Sequence, residues 1–261
     1  MASDIHPQAF VHPDAKIGDN CKIGPFCTIS ENAVIGDNCY LQSHVVIDGN
    51  TKIGDNCKIY AFASIGSQSQ DLKFKEGNVT YTEVGDNTII REYVTIHSGT
   101  DDGTITKVGS NCALLALSHV GHNTIVGDHV VLSHNATLAG HVIVDDHVVI
   151  SGLSAIHQFC KVGKNSFVAG MARVVQDVLP YTICEGSPGG CRIINKIGME
   201  RSGYDKEDVR AALEAYKIIF KRKLTLDQAV EQLNEMKSDK SVIKNIVEFC
   251  KNSERGLARP Q

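Results

Sequence analysis

The sequence predicts a mainly β protein, a parallel β-helix followed by a small α-helical domain. Three observations predict this class: an aliphatic or small apolar residue recurs every six positions over much of the chain, glycine often follows it, and the fifth position of each hexad is small. A period of six does not fit an α-helix of 3.6 residues per turn, whereas short strands joined by tight turns do. Three hexads would close one triangular coil, and successive coils would stack at the strand spacing of roughly 4.8 Å.

The hexad register can be followed along most of the first 190 residues. It starts at Ile5 and continues to Ile65, returns at Val84, and then runs from Val108 to Val174. Each hexad contributes two inward positions, the aliphatic residue and the small fifth residue. The stack of coils therefore predicts a prism with an apolar interior.

The same repeat explains most of the nine cysteines. Six of them occupy the small fifth position: Cys21, Cys27, Cys39, Cys57, Cys112 and Cys160. A thiol at such a position behaves as a compact apolar side chain. Since the sequence has no CxxC pair, we expect buried, reduced cysteines rather than disulfides or a zinc site.

Two segments interrupt the hexads, near 67–82 and 99–107, and we expect both to leave the prism as loops. Insertions on a solenoid commonly map to one functional face. The prism with its loops is assigned to 1–190, where prolines and glycines around Pro188 indicate a linker. The remaining segment, 191–261, is assigned to a C-terminal helical domain.

Beyond the linker the apolar period becomes helical. Asp205 is expected to cap a first helix, and Thr225 with Gln228 forms a capping box that opens a second. The apolar faces are expected to hold Val209, Leu213, Tyr216 and Phe220 in the first helix, and Val242, Ile243, Ile246, Val247 and Cys250 in a third. Four cationic residues end the first helix: Lys217, Lys221, Arg222 and Lys223. Such an end is commonly a solvated face that suits the helix dipole, and a dock for an acidic protein is the alternative.

Composition restricts the possible partners and location. A formal net charge of -4 gives no general attraction to nucleic acid or to an anionic membrane. The N-terminal residues lack a signal-peptide pattern, and no apolar run has the length of a membrane span. We therefore expect a cytoplasmic protein with no transmembrane segment and no nucleic-acid partner.

The segment SHVGHN, residues 118–123, begins a run of histidines. His122, His141 and His157 belong to hexads that start 18 residues apart, at Val120, Leu138 and Ile156, so we expect them on one prism face in three successive coils. His119 lies near the corner that leads into this face. Neutral imidazole accepts protons near neutral pH, which favours a general base among them, whereas three histidines can also bind catalytic zinc. Three other histidines are expected to be surface residues: His129, His134 and His147.

Five motifs resemble those of UDP-N-acetylglucosamine acyltransferases, the family that catalyses the first step of lipid A synthesis. They are SHVGHN, HNATLAGHVIVDDH, AIHQFC, QDLKF and REYVTIHSGT, and the resemblance covers essentially the entire chain. The resemblance implies a left-handed coil and a homotrimer with active sites in the clefts between neighbouring prisms. It also implies that an acyl carrier protein delivers a 3-hydroxyacyl thioester to UDP-N-acetylglucosamine without a metal or coenzyme.

The resemblance also implies roles for individual residues. His122 matches the general base that deprotonates the sugar 3-hydroxyl, and the backbone N–H of Gly140 matches the oxyanion donor. Gly170 matches the position that measures the acyl tail, where the lack of a side chain implies room for a longer chain. Substrate contacts are implied for the other matching positions: Asp71, Lys73, His119, His141, His157, Gln158, Asn195 and Arg201.

Some positions depart from the family pattern. Asn123 follows the base where many members have Asp, so the orientation of His122 must have another source. Pro188 and Ile197 replace polar residues near the nucleotide or donor. SHVGH and the linker look closer to the branch that acylates a 3-amino sugar, although Lys73 is retained, so the acceptor is UDP-N-acetylglucosamine or its 3-amino analogue.

Other classes of protein share part of this pattern. A zinc-dependent trimeric β-helix hydro-lyase of the carbonic anhydrase type would also use three histidines, but it has no need of the QDLKF loop or the terminal helices. A non-catalytic scaffold would explain the prism but not histidines on one face. A hexapeptide acyltransferase that uses acetyl coenzyme A is a further alternative within the same class.

Overall fold

The computed structural model describes residues 2–236 and 240–260, and it confirms the parallel β-helix. Most hexads give a strand of two residues, and every third strand pairs in parallel with its equivalent in the next coil. The register is regular from the first coil, where Asp4 pairs with Lys22 and Ile5 with Ile23. Three sheets, named A, B and C here, therefore form the faces of a triangular prism.

The strands alternate among the three faces in chain order. Sheet A contains β1 (Asp4–Ile5), β4 (Lys22–Ile23), β7 (Tyr40–Leu41), β10 (Lys58–Ile59), β13 (Ile89–Ile90), β16 (Ala113–Leu114), β19 (Val131–Leu132), β22 (Val149–Ile150), β25 (Phe167–Val168), β27 (Thr182–Glu185) and β28 (Gly190–Ile194). Sheet B contains β2 (Phe10–Val11), β5 (Thr28–Ile29), β8 (Val46–Ile47), β11 (Ser64–Ser67), β14 (Thr95–His97), β17 (His119–Val120), β20 (Thr137–Leu138), β23 (Ala155–Ile156) and β26 (Arg173–Val174). Sheet C contains β3 (Lys16–Ile17), β6 (Val34–Ile35), β9 (Asn50–Ile53), β12 (Tyr81–Val84), β15 (Ile105–Val108), β18 (Ile125–Val126), β21 (Ile143–Val144) and β24 (Lys161–Val162).

The interior of the prism is built from the two inward positions of each hexad. Aliphatic residues such as Leu41 and Val120 are fully buried, and so are small residues such as Cys27 and Ala136. Burying an aliphatic side chain of this size stabilises a fold by roughly 1.5–3 kcal/mol, so the stacked rows supply the main stabilising term. All nine cysteines are free and buried, including the six that the repeat places at the small fifth position.

The tight corners require a residue with positive φ in nearly every turn. Asparagine holds this position at several corners, for example at Asn20 and Asn38, each with φ of 57°. Asn and His tolerate this conformation better than β-branched residues do. At the corner between sheets B and C the position is held by Asn123 and His141, each with φ of 59°. The SHVGHN motif therefore turns this corner.

Two loops leave the prism at the same corner between sheets B and C. Loop 1 spans 68–80 after β11, and loop 2 spans 98–104 after β14. The loops bind each other: the N–H of Val79 donates to the carboxylate of Asp102 at 2.8 Å, and the N–H of Gly103 donates to the carbonyl of Val79 at 2.8 Å. Both loops thus lie beside the corner formed by SHVGHN.

The C-terminal segment is helical, with α1 (Lys196–Arg201), α2 (Lys206–Lys221), α3 (Leu226–Glu235) and α4 (Ser241–Lys251). The predicted cap at Asp205 and the predicted capping box of Thr225 and Gln228 are confirmed. The sequence did not reveal α1, which is short and contains a glycine. Strand β28 pairs antiparallel with β27 and crosses the domain division expected at residue 190. Within the two described ranges, no helix has the length and apolarity needed to cross a membrane.

The buried face of α2 includes most of the predicted residues but is wider than predicted. Tyr216 is buried and Val209 and Phe220 pack partly buried against the core, whereas Leu213 is 37% exposed. Four further residues are buried: Ala212, Ala215, Ile218 and Ile219. The face is wide because α2 packs against α1, α3, α4 and β28 at once, and the Tyr216 hydroxyl donates to the carbonyl of Arg192 at 2.5 Å. In α4 the predicted apolar residues are all buried: Val242, Ile243, Ile246, Val247 and Cys250.

Candidate active site

A cavity of about 360 Å³ lies at the corner between sheets B and C, under loop 1. Its lining includes five of the candidate residues: Asp71, His119, His122, Gly140 and Gln158. The rest of the lining is Gln70, Leu72, His97 and Gly121. The corner therefore brings the QDLKF loop onto the SHVGHN motif. His97, which sequence reasoning missed, is the last residue of β14, and its signal was its place in the REYVTIHSGT motif.

The imidazole of His122 is oriented by Asn123. The Oδ1 atom of Asn123 accepts the backbone N–H of Thr100 at 3.0 Å, so this atom is the amide oxygen. It lies 3.0 Å from Nδ1 of His122, and because an oxygen of this kind can only accept, Nδ1 must carry the proton. The Nε2 atom of His122 then has a free lone pair, which is the form a general base needs.

Gly140 faces His122 from the next coil and must lack a side chain. A Cβ at Gly140 would lie 2.3 Å from Nε2 and 2.5 Å from Cε1 of His122, far inside contact distance. Among the residues that the structure describes, none accepts a hydrogen bond from the Gly140 N–H. The donor therefore stays available beside Nε2, where an oxyanion donor would be useful.

Asp71 brings a negative charge to the other side of His122. Its Oδ2 atom lies 3.7 Å from Nε2 of His122, and both side chains are largely shielded from solvent. Loop 1 fixes this carboxylate, because Oδ1 of Asp71 accepts the backbone N–H of Lys73 at 2.9 Å. A carboxylate at this distance stabilises an imidazolium, so Asp71 supplies the charge that Asn123 lacks.

The other histidines of the cavity are held neutral. Burial, followed by the charges of His97 and His122, lowers the pKa of His119 to about 4. Burial and then the charge of His122 also lower the pKa of His97. The two rings meet edge to face with centroids 4.9 Å apart, and Nδ1 of His119 lies 2.7 Å from the hydroxyl of Thr95. Both can therefore act as neutral hydrogen-bonding groups near pH 7.

The three expected histidines follow successive strands of sheet B at the same corner, but their rings do not form one stack. The ring of His122 meets that of His141 edge to face at 5.1 Å, but His141 stacks on Phe159 at 4.8 Å rather than on His157. The reason is that the three histidines hold different positions within their hexads, and the residue equivalent to His141 in the next coil is Phe159. His157 is exposed, and its Nδ1–H donates to the carbonyl of Gln158 at 3.0 Å.

Two further candidates lie outside the cavity. Lys73 is exposed on loop 1, and its charge acts on His141, whose pKa is lowered mainly by burial. Gly170 is exposed at a corner between sheets A and B, where an added Cβ would meet nothing closer than the carbonyl of Gly152 at 3.5 Å. Packing within one chain therefore does not require glycine at position 170.

Asn195 and Arg201 line a different cavity, of about 510 Å³, against sheet A and α1. Its walls also include His129 and His147, whose rings stack at 4.6 Å; His129 is exposed, as expected for a surface residue, and His147 is half-buried. Asn195 is the N-cap of α1: its Oδ1 accepts the N–H of Gly198 at 3.1 Å. The structure thus does not bring Asn195 or Arg201 to His122 within one chain.

No cluster of three or more His, Cys, Asp or Glu side chains within residues 2–236 and 240–260 has the geometry to hold a metal ion. Of the three histidines considered for zinc, His141 meets His122 edge to face and stacks on Phe159, while His157 is exposed, so they form no such cluster. The donor set does not fit the zinc site of the hydro-lyase alternative.

Three protein-family models match parts of the chain. The model described as Udp N-acetylglucosamine O-acyltransferase, Domain 2, matches 177–258, and that described as bacterial transferase hexapeptide (six repeats) matches 105–140. The model of the GMPPB C-terminal domain matches 5–100. Together these matches describe a hexapeptide prism that continues into a specific C-terminal domain.

Similarity to characterised proteins extends along nearly the whole chain. The acyl-[acyl-carrier-protein]–UDP-N-acetylglucosamine O-acyltransferase of Gloeothece citriformis is 37% identical over 195 residues, which are 75% of this chain and 70% of that protein. The solved UDP-N-acetylglucosamine acyltransferase of Bacteroides fragilis is 38% identical with a TM-score of 0.94, covering 98% of this chain and 100% of that one. The UDP-N-acetylglucosamine O-acyltransferase of Moraxella catarrhalis is 41% identical with a TM-score of 0.94, covering 98% and 99%.

The fold, the histidine corner and these relatives define the class: the chain is an acyltransferase of the hexapeptide-repeat type, with a left-handed parallel β-helix. More narrowly, it belongs to the acyl-[acyl-carrier-protein]–UDP-N-acetylglucosamine O-acyltransferase family. The resemblance read from the SHVGHN, QDLKF and REYVTIHSGT motifs is confirmed. The relatives do not favour the hydro-lyase alternative.

Proposed function

We propose that this protein transfers a 3-hydroxyacyl group from acyl carrier protein to the 3-position of UDP-N-acetylglucosamine, the first step of lipid A synthesis, with His122 as general base. The observation that carries the proposal is the orientation of His122, whose Nδ1 proton is held by Asn123 while Nε2 faces the cavity beside Gly140. The names of the relatives supply the donor and acceptor. A cytoplasmic location stays a prediction.

The proposed reaction uses two groups of the site, Nε2 of His122 and the backbone N–H of Gly140. Nε2 of His122 takes the proton of the acceptor hydroxyl as its oxygen attacks the thioester carbon. The Gly140 N–H stabilises the resulting oxyanion, an effect worth roughly 3 kcal/mol for one preorganised donor. As the oxyanion collapses, the C–S bond breaks and the imidazolium returns its proton to the leaving thiolate. Asp71 stabilises the imidazolium between these two steps.

The remaining candidates would hold the substrates. His119 and Gln158 line the cavity, and His141 adjoins His122 through its ring, so these side chains are placed for the sugar or nucleotide. His157 and Lys73 are exposed at the same corner and would act at its rim. The separate cavity of Asn195 and Arg201 can act on the same substrate if another copy of the chain contributes it. We therefore propose a homotrimer with shared sites.

The donor protein would dock near the cationic end of α2. A cationic surface would suit the donor if it is an acidic protein. Lys217 and Arg222 both pair with Glu214 in this structure, which reduces the net charge they offer. Docking at this end of α2 therefore stays a prediction. Gly170 is proposed as the residue that sets acyl length, with room for a longer chain.

The 3-amino analogue is a second candidate acceptor. The observation in its favour is the neutral partner of His122: Asn123 holds the ring but brings no charge. An amine attacks a thioester before it loses its proton, so it needs less help from a base than a hydroxyl does. The retained Lys73 does not distinguish the two acceptors.

The test is a transfer assay with both acceptors and 3-hydroxyacyl carrier proteins of several lengths, read by mass spectrometry. Wild type is compared with His122→Ala and with His134→Ala, a matched control at an exposed histidine outside the cavity. We expect one acceptor and a narrow range of lengths to give product, lost in His122→Ala and kept in His134→Ala. Full activity without His122, or no product with any pair, would reject the proposal.

A further inference from the structure

Two buried hydroxyl groups connect the loops on either side of the cavity. The Oγ atom of Ser69 on loop 1 lies 2.5 Å from Oγ1 of Thr100 on loop 2, and the residues are 5% and 3% exposed. Ser69 Oγ also accepts the backbone N–H of Asp71 at 3.1 Å. The backbone N–H of Thr100 in turn donates to Oδ1 of Asn123.

These contacts form one chain of hydrogen bonds around His122. On one side, Ser69 holds the backbone of Asp71, whose carboxylate faces Nε2 of His122. On the other side, Thr100 holds Asn123, whose oxygen faces Nδ1 of His122. The hydroxyl bridge is thus where the two sides join.

We propose that Ser69 and Thr100 are positioning residues, whose hydroxyl bridge sets the distance between the carboxylate of Asp71 and the imidazole of His122. Neither residue lines the cavity, so each acts through another residue. The proposal rests on the proposed function, in which His122 is the base and Asp71 stabilises the imidazolium. The carboxylate that faces His122 belongs to a loop, and loops are more mobile than strands. A buried hydrogen bond between the two loops would hold that carboxylate in place.

Alternative anchors do not replace the bridge. The amide of Asn78 donates to the Thr100 carbonyl at 2.9 Å, and Thr80 donates to Ser98 at 3.0 Å, so the loops would remain closed without it. On loop 1 both contacts lie beyond Asp71 in the chain, at Asn78 and Thr80, whereas Ser69 precedes Asp71 and bonds its backbone directly. Loss of the bridge should therefore loosen the positions of Asp71 and Asn123 rather than unfold the loops.

The test compares Ser69→Ala, Thr100→Val, their combination and Thr100→Ser. The control is Thr88→Val, which removes another buried hydroxyl outside the cavity, one that contacts the Gly109 and Asp86 carbonyls and accepts the Cys112 N–H. Each variant is measured for kcat, KM and thermal unfolding. A misplacement of about 1 Å can cost roughly a hundredfold in rate, so we expect kcat to fall tenfold to a hundredfold with little change in KM.

Three results together would support the proposal. The double variant loses no more kcat than either single variant, and Thr100→Ser recovers most of kcat. Thr88→Val lowers the unfolding temperature without lowering kcat. Values of kcat within twofold of wild type in both single variants would overturn it. So would losses that multiply in the double variant.

A second measurement needs no substrate and separates this proposal from the proposed function. The ¹⁵N spectrum of the His122 imidazole, assigned with His122→Ala, reports which nitrogen carries the proton. We expect the Nδ1–H form in wild type and a mixture of forms in Thr100→Val. If wild type transfers no acyl group, the proposed function fails. In that case an unchanged His122 spectrum in Thr100→Val would overturn the proposed positioning role of the bridge as well.

Discussion

At the scale of residues, two side chains provide what a single carboxylate could provide beside a catalytic histidine: one orients the ring, and the other supplies a negative charge. The amide oxygen of Asn123 fixes the ring of His122 and its tautomer, and Asp71 brings the negative charge to the opposite nitrogen. The sequence showed Asn123 as a missing partner, because a carboxylate that arrives from a loop 51 positions earlier has no fixed spacing to the motif. The structure supplies both partners from different elements.

Substitution of Gly140 gives a prediction on the close packing of the proposed oxyanion donor against the His122 ring. In Gly140→Ala the new methyl would need the space of the His122 imidazole, so the ring must turn away from the cavity. We expect kcat to fall by about a hundredfold. The control for stability is Gly170→Ala, whose methyl meets only ordinary contact distances. Retention of kcat in Gly140→Ala would contradict the placement of the base.

The neutral partner of His122 gives a prediction on pH dependence. Asn123→Asp keeps the acceptor oxygen for Nδ1 and for the Thr100 N–H, and it adds a negative charge that stabilises the imidazolium. We expect the acidic limb of the kcat/KM profile to move up by about one pH unit. The measurement is the pH–rate profile of wild type and variant, and Asn123→Leu, which removes the acceptor, should lower the whole profile. Coincident acidic limbs for wild type and Asn123→Asp would count against this account.

His119 gives a prediction on stability. Its folded pKa of about 4 lies below the usual value of 6.5, so the unfolded chain binds the extra proton first. Above about pH 6.5 His119 is neutral in both states, and it does not lower the free energy of unfolding. As the pH falls toward 4, proton uptake by the unfolded chain lowers that free energy by up to roughly 3 kcal/mol. The free energy of unfolding between pH 7 and 4 tests this, with His119→Gln as the variant that should flatten the slope. An equal slope in both proteins would assign the loss to other groups.

At the scale of elements, the sequence predicted the strands, which follow a repeat, and did not reveal the contacts between the loops, which follow none. The strands follow from the hexads, because both inward positions recur and each recurrence buries the same face. The predicted apolar residues of α4 are all buried because that helix has one buried face, whereas the wider buried face of α2, which packs on four neighbouring elements, was predicted only in part. The bridge of Ser69 and Thr100 joins two aperiodic loops, so no spacing in the sequence reveals it.

The helix caps give an element-scale prediction. Thr225→Ala removes the acceptor for the Gln228 N–H at the start of α3 and should lower the free energy of unfolding by about 1 kcal/mol. Thr225→Ser keeps the hydroxyl and should retain most of that stability. Chemical denaturation of both variants is the measurement. Equal losses in Thr225→Ala and Thr225→Ser would show that the side-chain hydrogen bond does not stabilise α3.

At the scale of the whole molecule, the two cavities lie on different parts of one prism. The first holds His122 and Asp71, and the second holds Arg201 beside α1. Arg201 does not lie at the histidine corner of its own chain, so in the proposed homotrimer a neighbouring chain would contribute it. The shared site stays a prediction, which the sequence indicated through resemblance alone.

Mixed assembly of two inactive variants tests this central claim most directly. His122→Ala and Arg201→Ala are coexpressed with different tags, purified through both tags, and assayed for acyl transfer beside each parent. If every site combines His122 of one chain with Arg201 of another, each mixed trimer that carries both tags has one intact site of three, so roughly a third of the wild-type sites are restored and the mixture should be far more active than either parent. Activity no higher than that of the parents would contradict a site shared between chains.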